Sequence, residues 1–265
     1  LYEIWNRKFP MLIGSRGMGK SFLLSVYPLL RALFMPRRKI IVVGAAFRQS
    51  KVLFEYMDTI WKNAPIFRDL CGANSGPRRD VDRCVMHINQ STITCLPLGD
   101  GSKIRGQRAN DIIADEFASI PRDIFENVVA GFAAVSASPI DKVKERARAK
   151  KAKQLGITLE NTIDGVPQKS NQIVLSGTAY YDFNHFADYW KRYKMIVQSG
   201  GDINKLKEVF GGDEPSPEFD WSEYSIIRMP VFKLPDGFMD EGQVARAKAT
   251  ICLLYTSPSP RDLRK

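Results

Sequence analysis

Gly14-Ser15-Arg16-Gly17-Met18-Gly19-Lys20-Ser21 is a complete phosphate-binding loop: one glycine, four residues, then Gly-Lys-Ser. Its glycines let backbone N–H groups turn inward around phosphate oxygens, because no Cβ blocks the conformations required. Gly14 through Ser21 are therefore the candidate nucleotide-binding residues, with Lys20 reaching the β- and γ-phosphates and the Ser21 hydroxyl ligating Mg²⁺. The flanks agree with this reading. Phe9-Pro10-Met11-Leu12-Ile13 is a short apolar run suited to a buried strand. Ser21 to Phe34 follows as a helix whose N-terminus favours anions, and Pro28 is expected to kink or interrupt it.

A phosphate loop alone does not separate kinases, switches and motors. Asn110-Asp111-Ile112-Ile113-Ala114-Asp115-Glu116 narrows the choice, being a short apolar strand that ends in two adjacent carboxylates. Asp115, at the carboxyl end, is placed to hold the Mg²⁺ shell. Glu116 is placed to orient or deprotonate the attacking water, which favours hydrolysis over transfer to a second substrate. The competing explanation is an acidic helix N-terminus, where carboxylates occur for dipole reasons alone. No Asn/Thr-Lys-x-Asp guanine-specificity motif occurs, so ATP is the expected nucleotide.

The 265 residues, 44% hydrophobic, suffice for one substantial domain or one domain with a small lid. No apolar run reaches the length of a membrane span, and Leu1-Tyr2-Glu3-Ile4-Trp5 has neither a secretory pattern nor an initiator Met, so a frame cut at its start is expected. Cys71, Cys84, Cys95 and Cys252 form no Cys-x-x-Cys pair, which argues against zinc and redox chemistry and for reduced thiols in a cytoplasm. His87 and His185 are read as ordinary structural or surface residues. The net charge of +10 is the footprint of a protein that works near a polyanion. Residues 141–153 contribute seven basic and two acidic side chains, read as a solvated helix or as a helix on DNA phosphates. No aromatic residues interleave them, so a single-strand stacking platform is not supported.

Further along, Ile40–Val43 reads as a buried strand, followed by a helix carrying Val52, Leu53, Tyr56, Met57, Ile60 and Trp61 on its apolar face. Residues 72–80 read as a turn-rich loop, and 83–88 with 92–96 as a hairpin about Asn89-Gln90. Gln172–Leu175 is a further buried strand, punctuated by Ser176-Gly177-Thr178. A helix spans His185–Val197, with Phe186, Tyr189, Trp190 and Ile196 on its apolar face. Residues 200–217 read as loop or boundary, 224–229 as a strand, and 240–249 as a helix. Alternating strands and helices predict a mostly parallel α/β sheet with nucleotide at its carboxyl edge.

Together these segments resemble the ATPase domain of large terminase subunits, the DNA-packaging motors of tailed bacteriophages. The resemblance rests on the arginine-containing loop at 14–21, on Val42-Val-Gly-Ala-Ala-Phe-Arg-Gln-Ser50 after the second strand, and on Ile104-Arg105-Gly106 upstream of Ile112–Glu116. Ser176-Gly177-Thr178 is similar to the family's coupling motif. The segments cover roughly residues 5–230. The fold implied is an α/β P-loop NTPase of the ASCE/RecA type, with a mostly parallel central sheet flanked by helices and a small lid-like C-terminal region.

The resemblance implies roles beyond those that spacing assigns. Arg16 resembles an arginine that contacts the γ-phosphate from the same subunit, and Arg105 one that reaches a neighbouring subunit's site. Thr178 is implied to hydrogen-bond near the γ-phosphate and to link hydrolysis to movement. The implied partners are double-stranded DNA, a portal protein, a small terminase subunit and further copies in a ring. The implied place is the cytoplasm of an infected bacterium. The family's adenine-side glutamine motif is not evident before Gly14, and the family's C-terminal nuclease domain is expected to be missing. The expected division is an ATPase domain over 1–235, the start of a lid or linker over 236–250, and a non-native or linker tail over 251–265. A helicase-like translocating ATPase and a non-catalytic ATP-dependent DNA-binding module are the alternatives; the first needs a second motor domain, and Glu116 argues against the second.

Overall fold

The structure is a computed structural model that describes residues 1–15, 17–98, 106–132, 171–178 and 184–230, with short pieces between 162 and 246. Helix α1 (Tyr2–Asn6) leads into β1 (Phe9–Gly14), then α2 (Lys20–Phe34), β2 (Lys39–Gly44), α3 (Phe47–Asn63) and α4 (Pro65–Asp69). Strands β3 (Gly76–Arg79), β4 (Cys84–Ile88), β5 (Ser91–Pro97) and β6 (Asp111–Ala114) come next. A separate pair, β7 (Thr162–Ile163) and β8 (Val166–Pro167), precedes β9 (Gln172–Gly177), α5 (His185–Ser199), α6 (Ile203–Val209) and β10 (Tyr224–Met229).

Eight strands form one sheet in the order β10-β1-β9-β6-β2-β5-β4-β3. The first six run parallel; β4 and β3 are antiparallel additions at one edge. β9 is inserted between β1 and β6, so the phosphate-loop strand and the acidic strand are not direct neighbours. This arrangement confirms the expected α/β P-loop fold with a mostly parallel sheet.

The apolar runs are continuous because both faces of the central strands are buried. Leu12, Ile40, Val42, Ile113 and Val174 pack with Leu24, Tyr27, Leu53, Phe54 and Met57 of α2 and α3. Their alternates, Met11, Ile13, Ile41, Val43, Ile112 and Leu175, pack with Phe117, Phe125, Phe186 and Tyr193.

Several local expectations are corrected. Helix α2 runs unbroken through Pro28. Pro28 is buried between Tyr27 and Leu29, and packing of that face offsets the missing N–H. Part of the turn-rich 72–80 segment is strand β3, paired with β4 despite its Gly76-Pro77 start. An edge position tolerates the missing proline donor. The 200–217 segment contains helix α6, started by the Asp202 side chain accepting from Asn204 N. Val52 and Tyr56 were expected on the apolar face of α3 but are 38% and 41% exposed, because Leu53, Phe54 and Met57 face the sheet. The 141–153 segment, the tail from 251 on and most of the 236–250 stretch lie outside the described residues.

The amino-terminal edge of the sheet is closed by a buried polar network that composition does not advertise. Asp111, fully buried at the start of β6, accepts at Oδ1 from Arg31 Nη2 at 3.0 Å and Arg38 Nη2 at 3.3 Å, and its Oδ2 pairs ionically with Arg38 Nε at 3.2 Å. Arg31 also lies over the Trp5 ring at 5.4 Å. Beside them the Tyr27 hydroxyl donates to Gln172 Oε1 at 2.6 Å, and Gln172 Nε2 donates to the Ile4 and Arg7 carbonyls. One carboxylate thus holds two buried guanidiniums from α2 and from the lead into β2. Asp111→Asn removes the carboxylate that Arg31 and Arg38 share and is expected to lower unfolding free energy by about 3–5 kcal/mol. Urea denaturation of the two proteins measures it; a difference below about 1 kcal/mol contradicts the assigned role of Asp111.

Candidate active site

The parallel register brings three strand ends to one edge. Ile13 of β1 is level with Gly177 of β9, and Leu175 of β9 is level with Ala114 of β6. The residues that follow, 14–21, Thr178 and Asp115-Glu116, therefore leave the sheet side by side. Ser15 N donates to Met229 O at the end of β10, and Asp115 N to Val43 O of β2, which fixes both departures.

The glycines of the loop serve two different purposes. Gly17 and Gly19 have φ of 79° and 80°, the left-handed region where a side chain is strained. At Gly14 the reason is crowding. A Cβ there would stand 1.8 Å from Met18 Sδ, because the buried Met18 side chain folds back over Gly14. Any contribution of Met18 to a phosphate is thus from its backbone. Gly19 is the N-cap of α2, with neither a capping side chain nor an acidic residue in the first turn. The first-turn N–H groups are left for an anion.

Lys20, only 6% exposed, directs its ammonium at the Gly14 and Ser15 carbonyls, both at 3.2 Å, and at Thr178 Oγ1 at 3.0 Å. The Ser21 hydroxyl donates to Asp115 Oδ2 at 3.3 Å. Sequence-predicted members from the loop, from β6 and from β9 therefore meet. Among the described residues, Asp115 Oδ1 and the Ser15 and Ser176 hydroxyls are buried without partners in ordinary hydrogen-bond geometry. Burial, and then the neighbouring Glu116 carboxylate, push the Asp115 carboxyl above its usual range; the Glu116 N–H, Lys20 and Ser176 partly oppose this.

Glu116 follows in the left-handed region, with φ 47° and ψ 49°, and is half-buried. A non-glycine residue there costs roughly 1–2 kcal/mol, which the surrounding turn must sustain. That turn, Phe117–Ser119, is held from α5. Asn184 Nδ2 donates to Ala118 O at 2.9 Å, and His185 Nε2 lies 3.1 Å from Phe117 O. Sequence reasoning gave Asn184 no role and His185 only a structural one. The one signal available was Asn184 as a helix-starting residue. Arg16 and Arg105 lie outside the described residues.

The fold and site define a P-loop nucleotide-binding domain with an additional strand between the loop strand and the acidic strand. Residues 11–138 match the family model described as terminase large subunit, T4likevirus-type, N-terminal. Among solved structures, the large terminase ATPase domain of Thermus phage P74-26 aligns with a TM-score of 0.54 at 12% identity, over 96% of this chain and 87% of that one. The large terminase from a thermophilic bacteriophage aligns at 0.53 and 10% identity, over 95% of this chain and 47% of that one. The chain thus spans nearly all of an isolated ATPase domain and under half of that longer terminase. At these identities the likeness is one of fold. No curated protein sequence matches.

The raised Asp115 value has a definite sign in stability. Folding favours its protonated form, so its contribution is most favourable below the ordinary carboxylate value and is lost as pH rises from there through the folded value. Without nucleotide or Mg²⁺, Asp115→Asn is therefore expected to raise Tm at neutral pH. The gain should shrink toward pH about 4, where the wild-type carboxyl is protonated too. Thermal unfolding across pH measures this; equal Tm values at neutral pH contradict it.

Proposed function

We propose that this chain is the ATP-hydrolysing motor part of a phage large terminase, which drives double-stranded DNA into a procapsid. The observation that carries the reading is the meeting of Lys20, Ser21, Asp115 and Thr178 at one sheet edge, with Glu116 next in the chain. The family match over 11–138 and the domain-length alignment support it. Translocation, portal and small-subunit contacts and a ring of copies belong to the proposal, as does a place in the infected cell's cytoplasm. Among the described residues no helix is long and apolar enough to cross a membrane.

The residues present fit Mg²⁺ and ATP. The uncapped start of α2 offers N–H groups to phosphate, and Asp115 has a buried oxygen with no hydrogen-bond partner beside the Ser21 hydroxyl. Ser21 and Asp115 would hold Mg²⁺, which would supply positive charge to the phosphate oxygens. The backbone of Gly14 to Gly19 cradles the phosphates, and Lys20 exchanges its bonds to the loop carbonyls for phosphate oxygens. Glu116 takes the proton of the attacking water. Thr178, bonded to the same ammonium, registers whether Lys20 faces phosphate or the loop. Arg16 in the loop and Arg105, acting in a neighbouring copy's site, supply positive charge to the transition state. The net charge of +10 suits a DNA partner held through phosphates.

Phosphate release from ATP, measured with Mg²⁺ and double-stranded DNA, tests the assignment. Glu116→Gln is expected to lower turnover by about 100-fold or more while nucleotide affinity stays within a few-fold. Lys20→Ala is expected to lose nucleotide affinity itself. Equal turnover by wild type and Glu116→Gln overturns the catalytic assignment.

A further inference from the structure

The turn that carries Glu116 has no regular secondary structure to hold it beyond one 3-10 turn, Phe117–Ser119. Its internal bonds are Ser119 N to Glu116 O and Ile120 N to Phe117 O. The first residues of α5 add two more bonds, one to the Ala118 carbonyl and a second to Phe117 O, which already accepts from Ile120 N. Asn184 uses its side chain twice: Oδ1 accepts from Phe186 N at 2.9 Å and caps α5, and Nδ2 donates to Ala118 O at 2.9 Å. His185 Nε2 reaches Phe117 O at 3.1 Å; a carbonyl only accepts, so Nε2 carries the proton.

A third contact adds the β9 end. Gly177 leaves room for the Phe186 ring, since a Cβ there would stand 2.9 Å from Phe186 Cε1 and 3.5 Å from Phe117 N. Phe186 in turn meets the Phe117 ring edge-on, with centroids 5.7 Å apart. The first turn of α5 is therefore wedged between the Ser176-Gly177-Thr178 end of β9 and the Glu116 turn.

We propose that Asn184 and His185 are positioning residues that hold Glu116 in its left-handed conformation, and that they tie its placement to the strand end bearing Thr178. This rests on the hydrolytic reading of Glu116. Neither residue touches the nucleotide in this assignment; both act through the Phe117–Ser119 backbone. A displaced Glu116 loses turnover and leaves nucleotide binding intact, because Lys20, Ser21 and Asp115 are held elsewhere.

Asn184→Asp and Asn184→Ala separate positioning from folding. Aspartate keeps the acceptor that caps α5 but has no donor for Ala118 O, whereas alanine loses both. Steady-state phosphate release gives kcat and KM, nucleotide titration gives affinity and thermal unfolding gives stability. Both variants are expected to lower kcat by about 10-fold or more with affinity within about 3-fold, and only Asn184→Ala is expected to lower Tm appreciably. His185→Leu is expected to behave as Asn184→Asp does, and His185→Gln, which restores a donor, to recover part of kcat. Wild-type kcat in Asn184→Asp, or a kcat loss that follows Tm across the set, overturns the proposal. Glu116→Gln measured alongside distinguishes the two failures. If it is inactive while Asn184→Asp is normal, only the positioning role falls; if it turns over as wild type does, the hydrolytic reading falls with it.

Discussion

Everything at the candidate site depends on the parallel register of β1, β9 and β6. Ile13 opposite Gly177 and Leu175 opposite Ala114 bring the phosphate loop, Thr178 and Asp115 to the same level of the sheet. Side chains alternate along a strand, so a slip of one residue between β9 and either neighbour would move each side chain into the core on the opposite face. It would also part Thr178 from Lys20. Burial of both sheet faces makes such a slip costly, and the register needs no specific bond at the site to maintain it.

The two edges of the sheet differ in kind. At the amino-terminal edge Asp111, Arg31, Arg38, Tyr27 and Gln172 form a buried network tied to α1 and α2, in which opposite charges meet although Arg31 Nε and Nη1 and Asp111 Oδ2 make no hydrogen bond among the described residues. At the carboxyl edge polar groups are buried without partners, Asp115 is held in an unfavourable environment for its charge, and Glu116 is strained. At the first edge opposite charges offset one another's burial, whereas at the second a phosphate and a cation would do so.

Much of this was legible in residue order. The phosphate loop, the strand ending in Asp115-Glu116, the buried runs at 40–43 and 172–175 and the hairpin about Asn89 all form as their patterns predict, with Asn89 at φ 52°. The failures share a cause. Gly76-Pro77 looks like a turn, yet pairs as an edge strand because β4 offers a partner. Pro28 looks like a helix breaker, yet the buried face of α2 carries the helix through it. Val52 and Tyr56 fit an apolar stripe that the sheet does not use. In each case packing against a distant element overrode a local preference.

The sequence by itself determined the chemistry available: a loop that can wrap phosphate, a hydroxyl and a carboxylate suited to Mg²⁺, and an adjacent carboxylate suited to water. These are local, because spacing along one loop or one strand end sets which groups can meet. Only the tertiary structure decided that Lys20 bonds Thr178 across 158 residues of chain, that Asp111 neutralises two arginines, and that Asn184 and His185 grip the turn behind Glu116. Such contacts join residues far apart in sequence through side-chain hydrogen bonds. Their partners are chosen by how strands and helices stack, and no spacing rule along the chain encodes that choice.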